Sequence, residues 1–142
     1  HRIIPKTMLT AALGKKLPLH GGGRARKSYL HASDLARAVL KVLEIAPLGT
    51  VYNVGPEHPT SIRDVVEMCA KYTGVLFSSF VELVEERTGQ DGCYWLDSSR
   101  IRALGWEPKV SWDHGMDEMS AWIRAYKDDL ARFPMDYAGL TV

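Results

Sequence analysis

The sequence has 142 residues, 46% of them hydrophobic and 25% charged, which is enough for one globular domain with a core. The formal net charge of +1 excludes a generic attraction to nucleic acids or membranes, and no run approaches the roughly 18 apolar residues that a transmembrane helix needs. The charge is unevenly spread, because seven Lys or Arg residues and no Asp or Glu precede Asp34. This imbalance suggests an anionic ligand at that end or a missing acidic neighbour.

In the N-terminal part, hydrophobic spacing predicts two helices and three short strands. Residues 3–13 form a predicted helix that ends at Gly14, followed by strands at Leu17–His20 and 28–31. A second helix begins at Ser33 or Asp34, and its apolar spacing predicts a buried face made of Leu35, Val39, Val42, Leu43 and Ala46. A strand at 51–54 completes a strand–helix–strand order, which is typical of a parallel βαβ unit.

The remaining elements are predicted from similar signals. A helix begins at Thr60 or Ser61 and ends at Gly74, with a buried stripe of Ile62, Val65, Val66, Cys69 and Tyr72. An extended segment at 81–85, a turn-rich loop at 87–92, an extended segment at 94–96 and a short helix from Asp97 to Leu104 follow. A long amphipathic helix is predicted over 112–133, and residues 135–142 are predicted to be a loose tail.

The cysteines and the N-terminus indicate the cellular setting. Cys69 and Cys93 are the only cysteines, and two distant cysteines make neither a disulfide framework nor a metal site. The N-terminus lacks the apolar region of a signal peptide, and a reducing compartment is the simplest setting, so we expect a cytoplasmic protein. The sequence starts at a predicted helix, which hints at a piece of something longer.

A glycine cluster followed by basic residues is the strongest local signal for binding. Gly21, Gly22 and Gly23 permit positive φ and a close approach of the backbone to a ligand. Arg24, Arg26 and Lys27 then place positive charge beside that backbone, which suits a phosphate. The alternative interpretation is a flexible glycine loop with a solvated basic rim.

We find no catalytic constellation in the sequence. The histidines lack metal-binding spacing, there is no GxSxG or P-loop, and the glycines lack the dinucleotide-binding spacing. Glu85 and Glu86 are neighbours on a predicted strand and would point to opposite faces, so they do not form an acid/base pair. The remaining signals concern binding: Arg26, Lys27, Arg87 from the second polar loop, and Asn53, a mid-strand amide that is equally compatible with a core role.

Five stretches in this order resemble the nucleotide-sugar epimerases and dehydratases of the extended short-chain dehydrogenase/reductase family, and most of all the dTDP-glucose 4,6-dehydratases. Residues 2–15 are similar to the family's helix and its "GKPLP" exit, and residues 17–34 to "LPxYGxGxxxRDWIYVxD". Residues 50–55 resemble "xVYNIG", residues 86–94 "DRPGHDRRY", and residues 97–108 "DSSKIRRELGWKP". The resemblance extends from Arg2 to about Tyr126.

The resemblance implies a fold and a set of ligand-binding residues. It implies an α/β fold that forms the C-terminal part of such an enzyme, with residues 28–54 as the last βαβ part of the Rossmann domain and residues 1–134 together as the substrate-binding domain. It implies that the diphosphate is bound by Lys27, with Arg26 as a possible substitute, and by Arg87. The implied contacts to the nucleotide are Arg2, Ile3, Pro18, His20 and Asn53.

Several residues depart from the family pattern. Lys27 replaces an arginine and His20 replaces a tyrosine, while Thr88 and Gln90 replace Pro and His. The glycine fingerprint for NAD is absent, and no tyrosine is followed four residues later by lysine, so the family's Tyr-x-x-x-Lys pair is absent too. The resemblance therefore implies that NAD belongs to a missing N-terminal half and that this chain does not turn over alone.

Two functions are compatible with these observations. The first is the nucleotide-sugar-binding part of a dehydratase or epimerase, with a separate N-terminal Rossmann half or a second copy as partner. The second is a non-catalytic standalone domain that self-associates or binds a partner through the face left by the missing half. RNA binding by the basic N-terminal quarter is weaker, because aromatic residues are nearly absent there.

Overall fold

The computed structural model describes residues 2–133, and it confirms a mixed α/β fold. The helices are α1 (Ile3–Ala12), α2 (Ala32–Ile45), α3 (Ile62–Thr73), α4 (Phe77–Phe80), α5 (Ser99–Arg102) and α6 (Trp112–Leu130). The strands are β1 (Leu17–His20), β2 (Arg26–Lys27), β3 (Thr60–Ser61), β4 (Val81–Val84) and β5 (Cys93–Tyr94). Gly21–Gly23 forms a single 3₁₀ turn between β1 and β2. None of the helices in this part of the chain is long and apolar enough to cross a bilayer.

Helices α1, α3 and α6 pack together around the main core. Its fully buried side chains come from all three helices and are Met8, Leu9, Val65, Cys69, Met116 and Ile123. The predicted stripe of α3 is confirmed, since Val65 and Cys69 are buried and Tyr72 packs at the edge. Burial raises the pKa of the Cys69 thiol to about 12, so this cysteine is an inert core side chain.

Two small sheets flank these helices. Strand β1 pairs in parallel with β4, with Leu17 opposite Val81 and His20 opposite Val84. Leu17 and Leu19 point into a second core with Phe80, Val66 and Ala70. The other sheet has the order β3-β2-β5, in which β2 is antiparallel to β3 and parallel to β5.

The capping residues of α3 were predicted correctly from local sequence signals, whereas that of α2 was not. Ser61 caps α3 by accepting a hydrogen bond from the Asp64 N–H at 3.0 Å, and Gly74 ends this helix at φ +70°, both as the sequence predicts. The predicted start of α2 is wrong, because the cap is His31, whose Nδ1 accepts from the Ser33 N–H at 3.3 Å. An imidazole can accept in this way but is not among the usual capping residues.

The predicted buried face of α2 is wrong for three of its five residues, whereas Val42 packs against the cluster around Ala38. Leu35, Val39 and Leu43 are 49%, 51% and 76% exposed, and we call them the open face of α2. Within α2 only Asp34 and Ala38 are fully buried. The spacing identified an apolar face, but three of its side chains stay exposed.

The strands expected at 28–31 and 51–54 do not form. Strand β2 ends at Lys27, and neither expected segment has a strand partner within residues 2–133, so the ladder of a parallel βαβ unit is not made there. Residues 51–54 are instead held by packing of Tyr52 and Val54 around Ala38, and by Arg100, which donates to the Val51 carbonyl at 3.1 Å. The tail predicted at 135–142 lies outside the described residues.

Candidate functional site

Two segments of the chain run side by side past the candidate residues. The first runs from β1 through Gly21–Gly23 to β2, and the second runs from β4 through residues 85–92 to β5. Both pairs of strands are parallel, so the basic residues of β2 lie next to the loop that carries Arg87. Five residues separate β1 from β2, whereas eight separate β4 from β5, so the loop with Arg87 is the longer of the two connections.

Lys27 lies against the end of this longer loop. Its Nζ donates to the Asp91 carbonyl at 3.4 Å and lies 5.8 Å from the centroid of the Tyr94 ring. The backbone joins the same two segments, because the Arg26 N–H donates to the Gly92 carbonyl at 2.9 Å. The structure thus brings together the Lys27 ammonium and the loop of Arg87, two features that are far apart in the sequence.

Arg26 has a different neighbour. Its Nη2 donates to the Pro59 carbonyl at 3.0 Å, next to β3. Since β3 and β5 lie on opposite sides of β2, the guanidinium of Arg26 and the ammonium of Lys27 are directed to different edges of the sheet. Arg26 would have to leave Pro59 to replace Lys27 on a phosphate.

The glycine turn contacts the start of the second loop. The Glu86 carboxylate lies over Gly21, where a Cβ would be only 1.8 Å from Glu86 Oε2. Glu86 Oε1 also accepts from the Arg87 N–H at 3.2 Å. Strand β4 ends at Val84, so Glu85 and Glu86 lie in this loop and not on a strand. Gly21, with φ +54°, begins a turn that leads into β2 and not into a helix.

The remaining candidate residues of the N-terminal part follow from α1 and β1. His20 ends β1, and its Nδ1 donates to the Glu85 carbonyl at 3.0 Å. Pro18 is exposed on β1, and Arg2 is the exposed N-cap of α1. Ile3 is half-buried and packs against both cores, so much of its side chain serves the fold.

Asn53 does not have the core role that the sequence left open beside a binding role. Asn53 is exposed and lies outside any strand, whereas its neighbours Tyr52 and Val54 are half-buried. Alternation along an extended segment places the two neighbours on one side and Asn53 on the other. The amide therefore faces away from the packed side of this segment.

Sequence analysis missed the role of Asp34, which is 1% exposed. Its carboxylate accepts from the backbone N–H groups of Lys109 and Val110 at 3.0 and 3.2 Å and pairs with Arg37. Burial raises the pKa of Asp34, but the hydrogen bonds from Lys109, Val110 and Arg37 outweigh it, so the pKa lies below its ordinary value. Asp34 is itself one of the two residues predicted to cap α2, so a local cap was taken as the role of its carboxylate.

A metal-binding cluster and a hollow on α3 were compared with the candidate residues among residues 2–133. No group of three or more His, Cys, Asp or Glu side chains among residues 2–133 is placed to hold a metal ion. A shallow hollow at the end of α3 includes none of the candidate residues; it is lined by Ala70, Lys71, Gly74, Val75, Leu76 and Phe77. The pairing of β2 with β5 is the feature that places Lys27 beside the loop of Arg87.

The comparison with protein families confirms the predicted family. The sequence model for GDP-mannose 4,6 dehydratase matches residues 1–119. The chain belongs to this family of nucleotide-sugar dehydratases and epimerases, within the extended short-chain dehydrogenases/reductases.

Similar proteins are much longer than this chain. A trifunctional UDP-glucose 4,6-dehydratase/UDP-4-keto-6-deoxy-D-glucose 3,5-epimerase/UDP-4-keto-L-rhamnose-reductase of Arabidopsis thaliana is 36% identical over 121 residues, which is 85% of this chain and 18% of the plant protein. The dTDP-D-glucose 4,6-dehydratase of Mus musculus is 30% identical over 128 residues, 87% of this chain and 36% of the mouse protein.

Solved structures agree with the sequence comparison. The crystal structure of a dTDP-glucose 4,6-dehydratase from Streptomyces venezuelae, with NAD and TYD bound, superposes with a TM-score of 0.81 at 30% identity. The match covers 89% of this chain and 39% of that one. The chain therefore corresponds to a C-terminal region of these enzymes and spans 18 to 39% of the length of the three relatives named here.

Proposed function

We propose that this chain is the nucleotide-sugar-binding C-terminal part of an NAD-dependent nucleotide-sugar 4,6-dehydratase or epimerase, and that it is not catalytically competent alone. The pairing of β2 with β5 is the observation that carries the proposal, because it brings Lys27 beside the loop of Arg87. A diphosphate carries its charge on two adjacent phosphates and is well bound by cations from two neighbouring segments.

The proposed ligand is a nucleoside diphosphate sugar. UDP and dTDP sugars occur in the names of the relatives, and this supports a pyrimidine nucleotide here. We propose Lys27 and Arg87 as the diphosphate contacts, with Arg26 nearby. His20 and Pro18 would line the base. The full set of proposed contacts is Arg2, Ile3, Pro18, His20, Arg26, Lys27, Asn53 and Arg87.

NAD would be bound by an N-terminal half and not by this chain. This is supported by the NAD in the enzyme from Streptomyces venezuelae, most of which lies outside the matched region, and by the turn Gly21–Gly23, which leads into a strand. That half would supply the redox chemistry of the bound nicotinamide. We propose that it also packs on the open face of α2, whose three apolar side chains are the kind of surface that a second domain covers.

The net charge and the cysteines support proposals for further partners and for the cellular compartment. We propose a second copy of the complete enzyme as a further partner, and we propose neither nucleic acid nor membrane binding, since the net charge is only +1. The two cysteines are unpaired, which fits the reducing cytoplasm that we propose as the location.

Isothermal titration of the 142-residue chain with UDP-glucose and dTDP-glucose tests the proposal. We expect binding to one of them, and we expect Lys27→Ala or Arg87→Ala to weaken it about tenfold, the size of one lost charge-assisted hydrogen bond. Arg132→Ala, at the end of α6, is the matched control for a lost surface cation and should leave the affinity unchanged. Absence of binding to both sugars would contradict the proposal.

Light scattering addresses the alternative of a standalone self-associating domain. A stable dimer of the isolated chain that binds neither sugar would favour that alternative. Sugar binding by a monomer would favour the proposal.

A further inference from the structure

The family resemblance implies an arginine at the position of Lys27. Because a lysine is present instead, phosphate binding depends on how the Lys27 side chain is positioned. A lysine has a single ammonium on a flexible four-carbon chain, without the rigid fork of a guanidinium. An unrestrained lysine therefore loses side-chain entropy when it binds a phosphate. A neighbour that already restricts the ammonium reduces this loss.

Tyr94 is placed to restrict it. In the parallel pairing of β2 with β5, Lys27 lies opposite Tyr94, so the two side chains share one face of the sheet. The Lys27 Nζ is 5.8 Å from the centroid of the Tyr94 ring, within the range of a cation–π contact. The Asp91 carbonyl accepts from the same Nζ, so the ammonium has two neighbours on this loop and strand.

The position of Tyr94 is itself fixed by backbone contacts. Ser28 Oγ donates to the Tyr94 carbonyl at 3.3 Å, and the ladder between β2 and β5 holds the strand next to it. Tyr94 is nevertheless 53% exposed, so it contributes little to the core. An exposed aromatic side chain on a fixed backbone, beside the cation of a candidate site, has a local role in holding that cation.

We propose that Tyr94 is a positioning residue for the diphosphate: its ring holds the Lys27 ammonium beside the Arg87 loop. This inference rests on the proposed function, since the ligand is the same. It adds a residue whose effect is exerted through Lys27 and not by a hydrogen bond of its own. The ring is therefore the essential part of Tyr94, and its hydroxyl is not.

Two variants separate the ring from the hydroxyl. Tyr94→Phe keeps the ring and removes only the hydroxyl, whereas Tyr94→Leu removes the ring and keeps an apolar side chain. Because the side chain is half-exposed, both variants should retain the midpoint of thermal unfolding to within a few degrees.

The first measurement is made without ligand. In ¹H–¹³C spectra of chain labelled at lysine, the ring current of Tyr94 should shift the ε-methylene signal of Lys27, assigned by its loss in Lys27→Arg. This shift should persist in Tyr94→Phe and disappear in Tyr94→Leu. Lys71 Nζ lies 5.3 Å from the Tyr72 ring, and its signal should stay unchanged in both variants, as an internal control.

The second measurement is the affinity for UDP and for dTDP, by isothermal titration. We expect Tyr94→Leu to raise the Kd roughly three- to fivefold, the size of one exposed cation–π contact, and Tyr94→Phe to leave it unchanged. In a Lys27→Met background, Tyr94→Leu should have no further effect, because Tyr94 acts through Lys27.

The outcomes separate this inference from the proposed function. If neither nucleotide binds the unsubstituted chain, the proposed function fails, and the role of Tyr94 for a diphosphate fails with it, whatever the spectra show. If a nucleotide binds but Tyr94→Leu leaves both the Lys27 signal and the Kd unchanged, only the inference about Tyr94 is overturned. An equal loss of affinity in Tyr94→Phe and Tyr94→Leu would also overturn it, because the hydroxyl would then be the active group.

Discussion

Helices α2 and α3 have similar amphipathic sequences and opposite surroundings. Both begin with an acidic first turn and carry apolar side chains at helical spacing. On α3, Val65 and Cys69 are fully buried between α1 and α6, whereas on α2 Val39 and Leu43 are 51% and 76% exposed. The comparison teaches that spacing identifies which face is apolar and leaves open what covers it.

The two helices are also attached in different ways. Helix α3 is held mainly by packing in the core that it forms with α1 and α6. Helix α2 is held at its start by polar contacts, since Asp34 bonds to residues 109–110 and the Trp106 Nε1–H donates to the Asp34 carbonyl at 3.0 Å. We therefore expect core substitutions to destabilise the packing of α3, and substitutions of Asp34 to destabilise the attachment of α2.

The largest expected effect is on the core of the three packed helices. Ile123→Ala removes a fully buried side chain of α6 and should lower the free energy of unfolding by about 3 kcal/mol. Leu40→Ala on α2 makes a similar deletion at an exposed position and should cost far less. Urea denaturation at one pH measures the free energy of unfolding of both variants. Equal losses of this free energy would show that the two regions are not packed differently.

The next effect is on the attachment of α2. Asp34→Asn leaves the backbone N–H groups of Lys109 and Val110 with a weaker acceptor and should cost about 2 kcal/mol at pH 7. The lowered pKa means that the carboxylate contributes stability above its unfolded pKa of about 4. That contribution is lost as the pH falls through the folded pKa.

The pH profile of urea unfolding for both proteins checks this expectation. The difference between Asp34→Asn and the unsubstituted chain should shrink as the solution is acidified below about pH 4. Asp64→Asn, an exposed acid in the first turn of α3, is the matched control and should cost only a few tenths of a kcal/mol. A difference that stays constant down to low pH would contradict the role of the carboxylate.

A smaller effect, confined to alkaline solution, concerns the junction of α3 with α6. The hydrogen bond of the Tyr72 hydroxyl to Asp113, with burial and the charges of Asp113 and Asp117, raises the pKa of Tyr72 to about 12. Stability from this contact is complete below the unfolded pKa of about 10 and is lost as the pH rises through about 12.

Ultraviolet titration of the phenols, compared with Tyr72→Phe, measures this pKa directly. Asp113→Asn should lower it toward the ordinary value, and Glu118→Gln on the same helix serves as the control. An unchanged titration in Asp113→Asn would show that the carboxylate is not the partner of Tyr72.

The smallest expected effect is on the open face of α2. Leu43→Lys should change the free energy of unfolding of this chain by no more than about 0.5 kcal/mol, because the side chain is already exposed and a cation suits the end of a helix. A loss above about 1 kcal/mol in urea denaturation would mean that this face is covered. In a complex with an N-terminal half, the same substitution should weaken association.

Residues with purely local signals were well predicted. Ser61 and Gly74 fixed the ends of α3, and the strand Leu17–His20 was predicted with its observed bounds. The segments 28–31 and 51–54 were predicted as strands and are not, because a strand also needs a neighbour to pair with. For the candidate site, the sequence indicated the basic cluster, Arg87 and Asn53, and the family resemblance added the other contacts. The proximity of Tyr94 and Asp91 to Lys27 follows only from the pairing of β2 with β5.

The sequence alone determined the family, the main helices and the types of residue available for an anion, since these depend on local spacing and on side-chain chemistry. The tertiary structure decided which of these residues lie together. The parallel pairing of β2 with β5 joins segments that are distant in the chain, and it separates Arg26 from Lys27, which are adjacent in the chain. Strand pairing and burial depend on every neighbouring element at once, and that is information which no single stretch of sequence contains.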